Sequence, residues 1–323
     1  MQLKTGLQAK VCKTGQFFKI LLRCDMKKSP RQIKEASIRT FFFIMAFVSI
    51  TILFLILFFL AREGIPIFKH VSMKDFFFGI YWYPTASPPD FGIFPLIVAS
   101  LLVTVCSAVI AIPLGVMTAI YLAEIARPKL KEIAKPMVEL LASLPSVVIG
   151  FFGMVVFAPF LQEVFDIPTG LNLFNASLML AFMSVPTICT ISEDAITSVP
   201  RDLKEASLAL GATHLETIVR VIIPASLSGL STAVILGMSR AIGETMVVLM
   251  VAGGAAMVPD SIFDPVRPMP ASIAAEMAEA PFRGDHYFAL FATGMTLFIF
   301  TLIFNFIADY ISHKHRQVGA ATL

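Results

Sequence analysis

Long apolar stretches separated by shorter polar segments dominate this chain of 323 residues. A helix needs roughly 20 consecutive apolar residues to cross the hydrocarbon core of a bilayer. Six stretches have this length, at about 38–60, 93–122, 136–160, 173–195, 223–254 and 286–311. The pattern therefore predicts an all-α, polytopic membrane protein with six transmembrane helices.

The composition agrees with extensive contact with lipid. Hydrophobic residues make up 57% of the chain and charged residues 15%, whereas a soluble domain carries about 25% charged residues. The four cysteines and five histidines have no metal-site spacing, and the sequence contains no P-loop or nucleophilic serine motif. We predict no catalytic residues, no metal, no cofactor of its own and no nucleic-acid partner for this chain.

Lysine and arginine are distributed unequally between the two predicted sides of the membrane. Nineteen lie in the segments of one side, namely 1–39, 123–135, 197–220 and 312–323. Five lie in the segments of the other side, namely 61–92, 161–172 and 255–285. Because basic loops stay on the cytoplasmic side, we expect a protein of the cytoplasmic (inner) membrane with both termini in the cytoplasm.

The same pattern divides the chain into four parts. We expect a basic cytoplasmic leader at 1–39, a first transmembrane helix with an external segment at 40–92, a five-helix core at 93–311, and a cytoplasmic tail at 312–323. The first apolar run is too long for a cleaved signal peptide and is predicted to be a retained anchor. In the external segment, the aromatic run 81–83 (Tyr81, Trp82 and Tyr83) suits the lipid headgroup zone.

A polar loop at 198–224 interrupts the core between two apolar spans. Ser198 is predicted to cap a short helix that begins near Pro200, and Gly211 is predicted to end it. A second short helix is expected to follow before Pro224 begins the next span. Two short helices joined at a glycine would form a rigid protrusion that can transmit force.

Two pairs of opposite charge occur at a spacing of four residues. Arg201 and Glu205 of the polar loop could form an ordinary exposed pair, which is one of two readings open for Glu205, and Arg240 and Glu244 of the fifth span share a helical face and can pair. Ionisable residues inside a membrane usually face a bundle interior or an aqueous path, and an arginine fork suits an oxyanion. A purely structural ion pair remains the alternative at this point.

Small residues recur every fourth position along the fifth span, at Gly229, Ala233, Gly237 and Ala241. A stripe of small residues lets a second helix approach closely within a membrane. We therefore predict that the fifth span lies inside the helix bundle.

Residues 205–224, EASLALGATHLETIVRVIIP, resemble the EAA loop of ABC-transporter permeases, with Ser207 where the third residue of the motif is alanine. Further segments resemble the phosphate ABC-transporter permeases, in their PstC branch: Pro113–Glu124, Leu144–Met154, Met183–Leu203 and RAIGETMVVLMVAGG at Arg240–Gly254. The similarity runs from about residue 41 to residue 308 and leaves out the leader.

The resemblance implies a type I ABC importer permease that works with a PstA-like second permease, two copies of a cytoplasmic ATPase that binds ATP and Mg, and an external phosphate-binding protein. By position, the ATPase-coupling residues are Glu205, Ala206, Gly211 and Pro224, and the translocation residues are Arg240, Glu244 and Thr245. One alternative is a permease for molybdate, tungstate or sulfate. A remote alternative is an intramembrane enzyme that uses Glu244 or His286, but the sequence offers neither residue a second catalytic partner.

Overall fold

The computed structural model describes residues 30–315. The leader up to residue 29 and the tail beyond residue 315 lie outside the described residues, so the expectations for both stay predictions. The chain divides into two units, residues 1–58 and residues 59–323. In the first unit, the described residues all belong to one helix, and the second unit contains the helical core described below.

Helices form almost all of the regular structure. They are α1 Pro30–Gly64, α2 Met73–Phe78, α3 Phe94–Ile120, α4 Pro128–Ser143, α5 Ser146–Phe152, α6 Ala158–Phe165, α7 Leu173–Thr197, α8 Arg201–Ala209, α9 His214–Thr217, α10 Ile223–Ile242, α11 Met246–Val251, α12 Met269–Glu276 and α13 Asp285–His315. Wider π-helical turns at Tyr121–Ile125, Gly153–Phe157 and Ile218–Ile222 continue α3, join α5 to α6, and join α9 to α10. The strands β1 Trp82–Tyr83 and β2 Asp90–Phe91 form a short antiparallel hairpin.

Six helical segments of the described chain are long and apolar enough to cross a membrane. They are Ser37–Lys69, Phe94–Ile125, Ser146–Phe165, Leu173–Thr197, His214–Ile242 and Asp285–Ile307. This confirms the predicted all-α fold with six spans. The predicted bounds of two spans, the third and the fifth, are wrong.

The third span begins at Ser146, ten residues later than the predicted start at 136. Leu144 is extended (φ −62°, ψ 134°), as expected for a residue that precedes a proline. This break separates α4, none of whose residues is buried, from the membrane span. The apolar positions at 136–143 therefore belong to a separate amphipathic helix.

The fifth span is displaced towards the N-terminus relative to the predicted 223–254. It runs from His214 to Ile242, and the helix ends at Gly243. The apolar residues beyond this break form the separate short helix α11, whose Val247, Val248 and Val251 are buried in the core. Hydropathy alone does not detect this break, because the apolar residues of α10 and α11 outweigh the few polar residues at 239–245.

Helix α7 lies at the centre of the core and packs against α3, α4 and α10. The predicted small-residue stripe explains the contact with α10. A Cβ atom added to Gly229 would lie 2.4 Å from the Cβ of Ala195, and one added to Gly237 would lie 2.5 Å from Cγ1 of Ile188. The close approach of a second helix at this stripe is thus confirmed, whereas Thr232 and Leu236 of the same span are exposed.

The segment between the first two spans is folded and packs on the core. Its hairpin and α2 contribute to an apolar cluster that also contains Ile93 and Leu96 at the beginning of α3 and Met269 of α12. Trp82 is 2% exposed, so its predicted place in the headgroup zone is wrong, whereas Tyr81 and Tyr83 are exposed.

Candidate coupling and translocation sites

Helix α8 begins and ends close to the predicted positions, but it begins without the predicted cap. Its first residue follows Pro200, and no side chain caps it. The hydroxyl of Ser198 instead donates to the carbonyl of Ala195 at 2.7 Å, so the predicted Ser198 cap is wrong. Gly211 has φ +87°, the left-handed conformation that glycine adopts easily. The predicted turn at this glycine is confirmed.

The surface of α8 is available to another protein. No residue of the helix is buried, and Leu210 directly after it is 89% exposed. Glu205 and Ala206 are exposed, and within the described residues no ion pair joins Arg201 to Glu205. The exposed pair that their spacing allowed is therefore absent from the described structure. Exposed apolar side chains beside a free carboxylate are typical of a contact surface rather than of a solvated loop.

Two polar contacts fix α8 to the membrane core. Lys204 forms an ion pair with Glu124, whose side chain is 7% exposed in the π-helical turn that ends the second span. The hydroxyls of Ser207 and Thr217 lie 3.0 Å apart and share a hydrogen bond. The sequence did not single out these contacts, because their partners are 80 and 10 residues apart and show no local pattern.

The segment after Gly211 leads directly into the fifth span, without the separate second helix that we predicted. Thr213 and Glu216 form a reciprocal capping box at its beginning. Pro224 lies within the continuous helical span rather than at its beginning. A π-helical turn directly precedes this proline, which cannot donate a backbone hydrogen bond. Motion of α8 would therefore act directly on the end of a membrane-spanning helix.

A second polar network joins α4 to α7 near the same end of the molecule. The carboxylate of Glu193 is 2% exposed and lies 2.8 Å from Nζ of Lys131 and 3.0 Å from Nζ of Lys135. Lys135 also lies 3.5 Å from Asp194. The hydrogen bond to Glu193 raises the pKa of Lys135 above its ordinary value. Glu193 is therefore a buried carboxylate with two cationic partners.

The residues predicted for the translocation path lie at the break that ends the fifth span. Arg240 is exposed in the last turn of α10, with Nη1 3.5 Å from the hydroxyl of Thr187 in α7. Glu244 lies beyond the helix end and accepts from the amide of Val247 at 3.4 Å. Thr245 immediately precedes α11.

Within the described residues, Arg240 and Glu244 do not form the predicted ion pair. The prediction required a continuous helix, whereas α10 ends between the two residues, at Ile242. Arg240 therefore retains hydrogen-bond donors for an oxyanion. Thr187 adds a hydroxyl that the sequence alone did not identify, because it lies 53 residues away on another helix. No group of three or more metal-ligating side chains occurs in the described part of the chain.

The chain matches the family model of the binding-protein-dependent transport system inner membrane component over residues 111–317. It is 37% identical over 296 residues to the probable ABC transporter permease protein YqgH of Bacillus subtilis, covering 91% of this chain and 96% of that protein. It is 33% identical to the phosphate transport system permease protein PstC of Pasteurella multocida, covering 72% and 78% of the two chains.

Solved structures share the fold at lower identity. A bacterial alginate ABC transporter in complex with its periplasmic protein matches with a TM-score of 0.60 and 14% identity, over 89% of this chain and 99% of that chain. The MetNI methionine ABC transporter in an inward-facing conformation matches with a TM-score of 0.53 and 22% identity, over 70% and 95%. The relatives are transporter subunits, which removes the intramembrane-enzyme alternative. The chain therefore belongs to the inner membrane components of binding-protein-dependent transport systems, in the branch of the PstC permeases.

Proposed function

We propose that this chain is one of two different permeases of an ATP-driven importer that carries inorganic phosphate into the cytoplasm. A PstA-like permease is its partner in the membrane, two copies of an ATPase bind ATP and Mg on the cytoplasmic side, and a phosphate-binding protein delivers the substrate from outside. The observation that carries the coupling role is the exposed helix α8, which is fixed to the second span by Lys204 and continues into the fifth span.

The four coupling residues lie in α8, in the turn after it and in the fifth span. Glu205 and Ala206 present the exposed surface that contacts the ATPase, and Gly211 provides the turn. Pro224 lies in the span that receives the motion. When the ATPases close on ATP, displacement of α8 moves the ends of the second and fifth spans together, because both are attached to it. This movement opens the path towards the outside.

The translocation residues lie at the other end of the fifth span. Arg240 supplies a permanent cation, Thr187 a hydroxyl, and Glu244 and Thr245 border the break in the helix. A guanidinium fork matches the oxygen atoms of phosphate. The exposed side of Arg240 is the side on which the second permease would complete a channel for a hydrated anion. The phosphate substrate rests on the similarity to PstC permeases.

The test is ATP-driven transport by the reconstituted complex. This chain is co-expressed with a PstA-like permease and the ATPase, reconstituted in liposomes, and supplied with binding protein loaded with phosphate, molybdate or sulfate. We expect transport and ATP hydrolysis to rise only with phosphate. A response to another oxyanion would support an importer but show that its substrate is not phosphate. The absence of any response would exclude the importer assignment.

Orientation is tested separately by cysteine labelling. We propose that both termini and α8 face the cytoplasm, so Gly284, before α13, lies on the outer side. A cysteine placed there should react with an impermeant thiol reagent added to intact cells. A cysteine at exposed Ala206 should react only after the membrane is opened. The reverse labelling pattern would invert the proposed topology.

A further inference from the structure

A polar cluster lies at the end of the molecule opposite to α8. It consists of Trp82, Arg267, Ser272, Glu276 and His286, and we call it the Glu276 cluster. It lies beside the beginning of α3, where the amide of Met269 donates to the hydroxyl of Ser100 at 2.9 Å. Glu124, the partner of Lys204 in α8, lies at the other end of this span, and roughly 36 Å of helix separates it from Ser100.

The carboxylate of Glu276 accepts hydrogen bonds from four side chains. Nε1 of Trp82 lies 3.1 and 3.0 Å from its two oxygens, Nε2 of His286 lies 2.9 Å from Oε2, the hydroxyl of Ser272 lies 3.2 Å from Oε1, and Arg267 pairs with Oε1 through Nη1. The side chain of Glu276 is only 13% exposed. An arginine fork combined with neutral N–H and O–H donors is also what a phosphate requires.

A cavity of about 580 Å³ opens beside this carboxylate. It is lined by Arg267, Glu276 and His286, and by residues 254–257 of the loop that follows α11. Nε of Arg267 donates to the carbonyl of Gly254 at 2.6 Å, which fixes the guanidinium at the cavity wall. The amides of residues 255–257 donate to no other residue in the described part of the chain. These amides are therefore not occupied by other groups of the described chain.

We infer that the Glu276 cluster is an outer binding site for the transported phosphate, which the carboxylate of Glu276 occupies until phosphate displaces it. The inference rests on the proposed function and adds a second site to it. Carboxylate and phosphate oxygens accept from the same donors, so one can replace the other. Glu276 is the last residue of α12, so its side chain can leave the donors without unwinding the helix.

The position of the cluster supports this role. Helix α11, six residues or about 9 Å long, connects the break at Glu244 with the loop that holds Arg267. The two arginines of the proposed route, Arg267 and Arg240, are therefore associated with the two ends of one short helix. A phosphate released from the outer site would next meet the translocation residues.

The carboxylate of Glu276 would also favour phosphate delivered by the binding protein over free phosphate in solution. With Glu276 in place, the charge of Arg267 is neutralised, and free phosphate at low concentration finds the site occupied. A docked binding protein releases its phosphate at an effective concentration of about 1 mM or more, as for other tethered ligands. Competition with the carboxylate would then favour phosphate only in the docked complex.

The experiment measures direct binding of radiolabelled inorganic phosphate by equilibrium dialysis. The complete permease–ATPase complex is used in maltoside detergent, without ATP, phospholipid or binding protein. We expect Glu276→Gln to bind phosphate at least about tenfold more tightly than the unaltered complex, because loss of a charged hydrogen-bond acceptor frees the donors. Adding Arg267→Gln should abolish this gain. If Glu276→Gln does not assemble, Glu276→Asp retains the charge but withdraws the carboxylate, and it should also bind more tightly.

The matched control is Glu163→Gln, which removes the same charge from an exposed position of α6 that does not line the cavity. It should leave phosphate affinity unchanged, and an equal gain would overturn the displacement model. Displacement of the bound phosphate by short-chain phosphatidylglycerol would instead identify a lipid-headgroup site. An assembled Glu276 variant without tighter binding also overturns the inference, whereas phosphate transport by the unaltered complex tests the proposed function independently.

Discussion

Lys204 of α8 forms an ion pair with Glu124, which lies 80 residues earlier at the end of the second membrane span. The pair connects an exposed helix of nine residues to the membrane core. The side chains are 24% and 7% exposed, so the carboxylate is largely removed from water. An interaction at this place can transmit displacement of α8 to the second span as well as stabilise the fold.

The first prediction follows from this pair. Lys204→Gln leaves the carboxylate of Glu124 with its charge unpaired, which costs roughly 1–3 kcal/mol. We expect the variant to bind the ATPase but to transport less substrate per ATP hydrolysed. The measurement is the ratio of uptake to ATP hydrolysis in proteoliposomes.

The controls separate coupling from stability. Lys129→Gln removes an exposed lysine without an ion pair in the described structure, and it should leave the ratio unchanged. The exchange Lys204→Glu with Glu124→Lys should restore a large part of the ratio. A normal ratio in Lys204→Gln would mean that the pair only stabilises α8.

The second prediction concerns the buried carboxylate of Glu193. Replacing both Lys131 and Lys135 by methionine leaves this carboxylate buried without a cation, which costs about 3–5 kcal/mol. We expect a large fall in the thermal stability of the complex in detergent. Adding Glu193→Gln to the double variant should restore most of the stability, because the uncompensated charge is removed. Failure of this third substitution to restore stability would contradict the ion-pair explanation.

The raised pKa of Lys135 determines how its contribution to the stability of the folded protein changes with pH. Its pKa is raised in the folded protein, mainly by the hydrogen bond to Glu193, so its contribution is complete below the ordinary lysine pKa and is lost only above it. The stability difference between the unaltered protein and Lys135→Met should therefore stay constant between about pH 6 and pH 9. A difference that disappears within this range would contradict the assignment.

The sequence predicted the number of spans and the turn at Gly211 because each has a local signature. Apolar length identifies a span, and glycine at the end of an amphipathic segment indicates a helix end. The breaks at Leu144 and Gly243 were missed because the helices on both sides of each break are largely apolar. Hydropathy averages over such breaks, so residues 136–143 of α4 and all of α11 were assigned to the neighbouring spans.

In the candidate sites, too, the sequence identified only the residues that belong to a local motif. The motif positions Glu205 and Arg240 could be named from the sequence, whereas the partners Glu124 and Thr187 could not, because these contacts depend on helix packing. The assumed pair of Arg240 with Glu244 failed because spacing predicts contact only along an unbroken helix. Trp82 was misplaced because its partner Glu276 lies 194 residues away.

The third prediction concerns the exposed surface of α8. Glu205 has no partner in the described structure, so Glu205→Lys should leave the fold and its thermal stability unchanged. We expect the reversed charge to weaken association with the ATPase, measured by co-purification and by ATP-driven uptake. Glu163→Lys makes the same change at an exposed position of α6, outside α8, and should have no effect on association. Normal co-purification of Glu205→Lys would remove this residue from the coupling surface.

The last prediction separates a transport role of Arg240 from a structural one. Because the side chain is exposed and forms no ion pair in the described part of the chain, Arg240→Gln should preserve assembly and thermal stability. A cation that binds the passing anion would contribute about 1.5–3 kcal/mol, as for other hydrogen bonds to charged groups. We therefore expect uptake to fall by roughly tenfold or more.

Arg240→Lys keeps the charge without the planar fork and should retain an intermediate rate. Equal uptake by the glutamine variant would show that phosphate does not contact Arg240, whereas loss of assembly would assign the residue to the contact with the second permease.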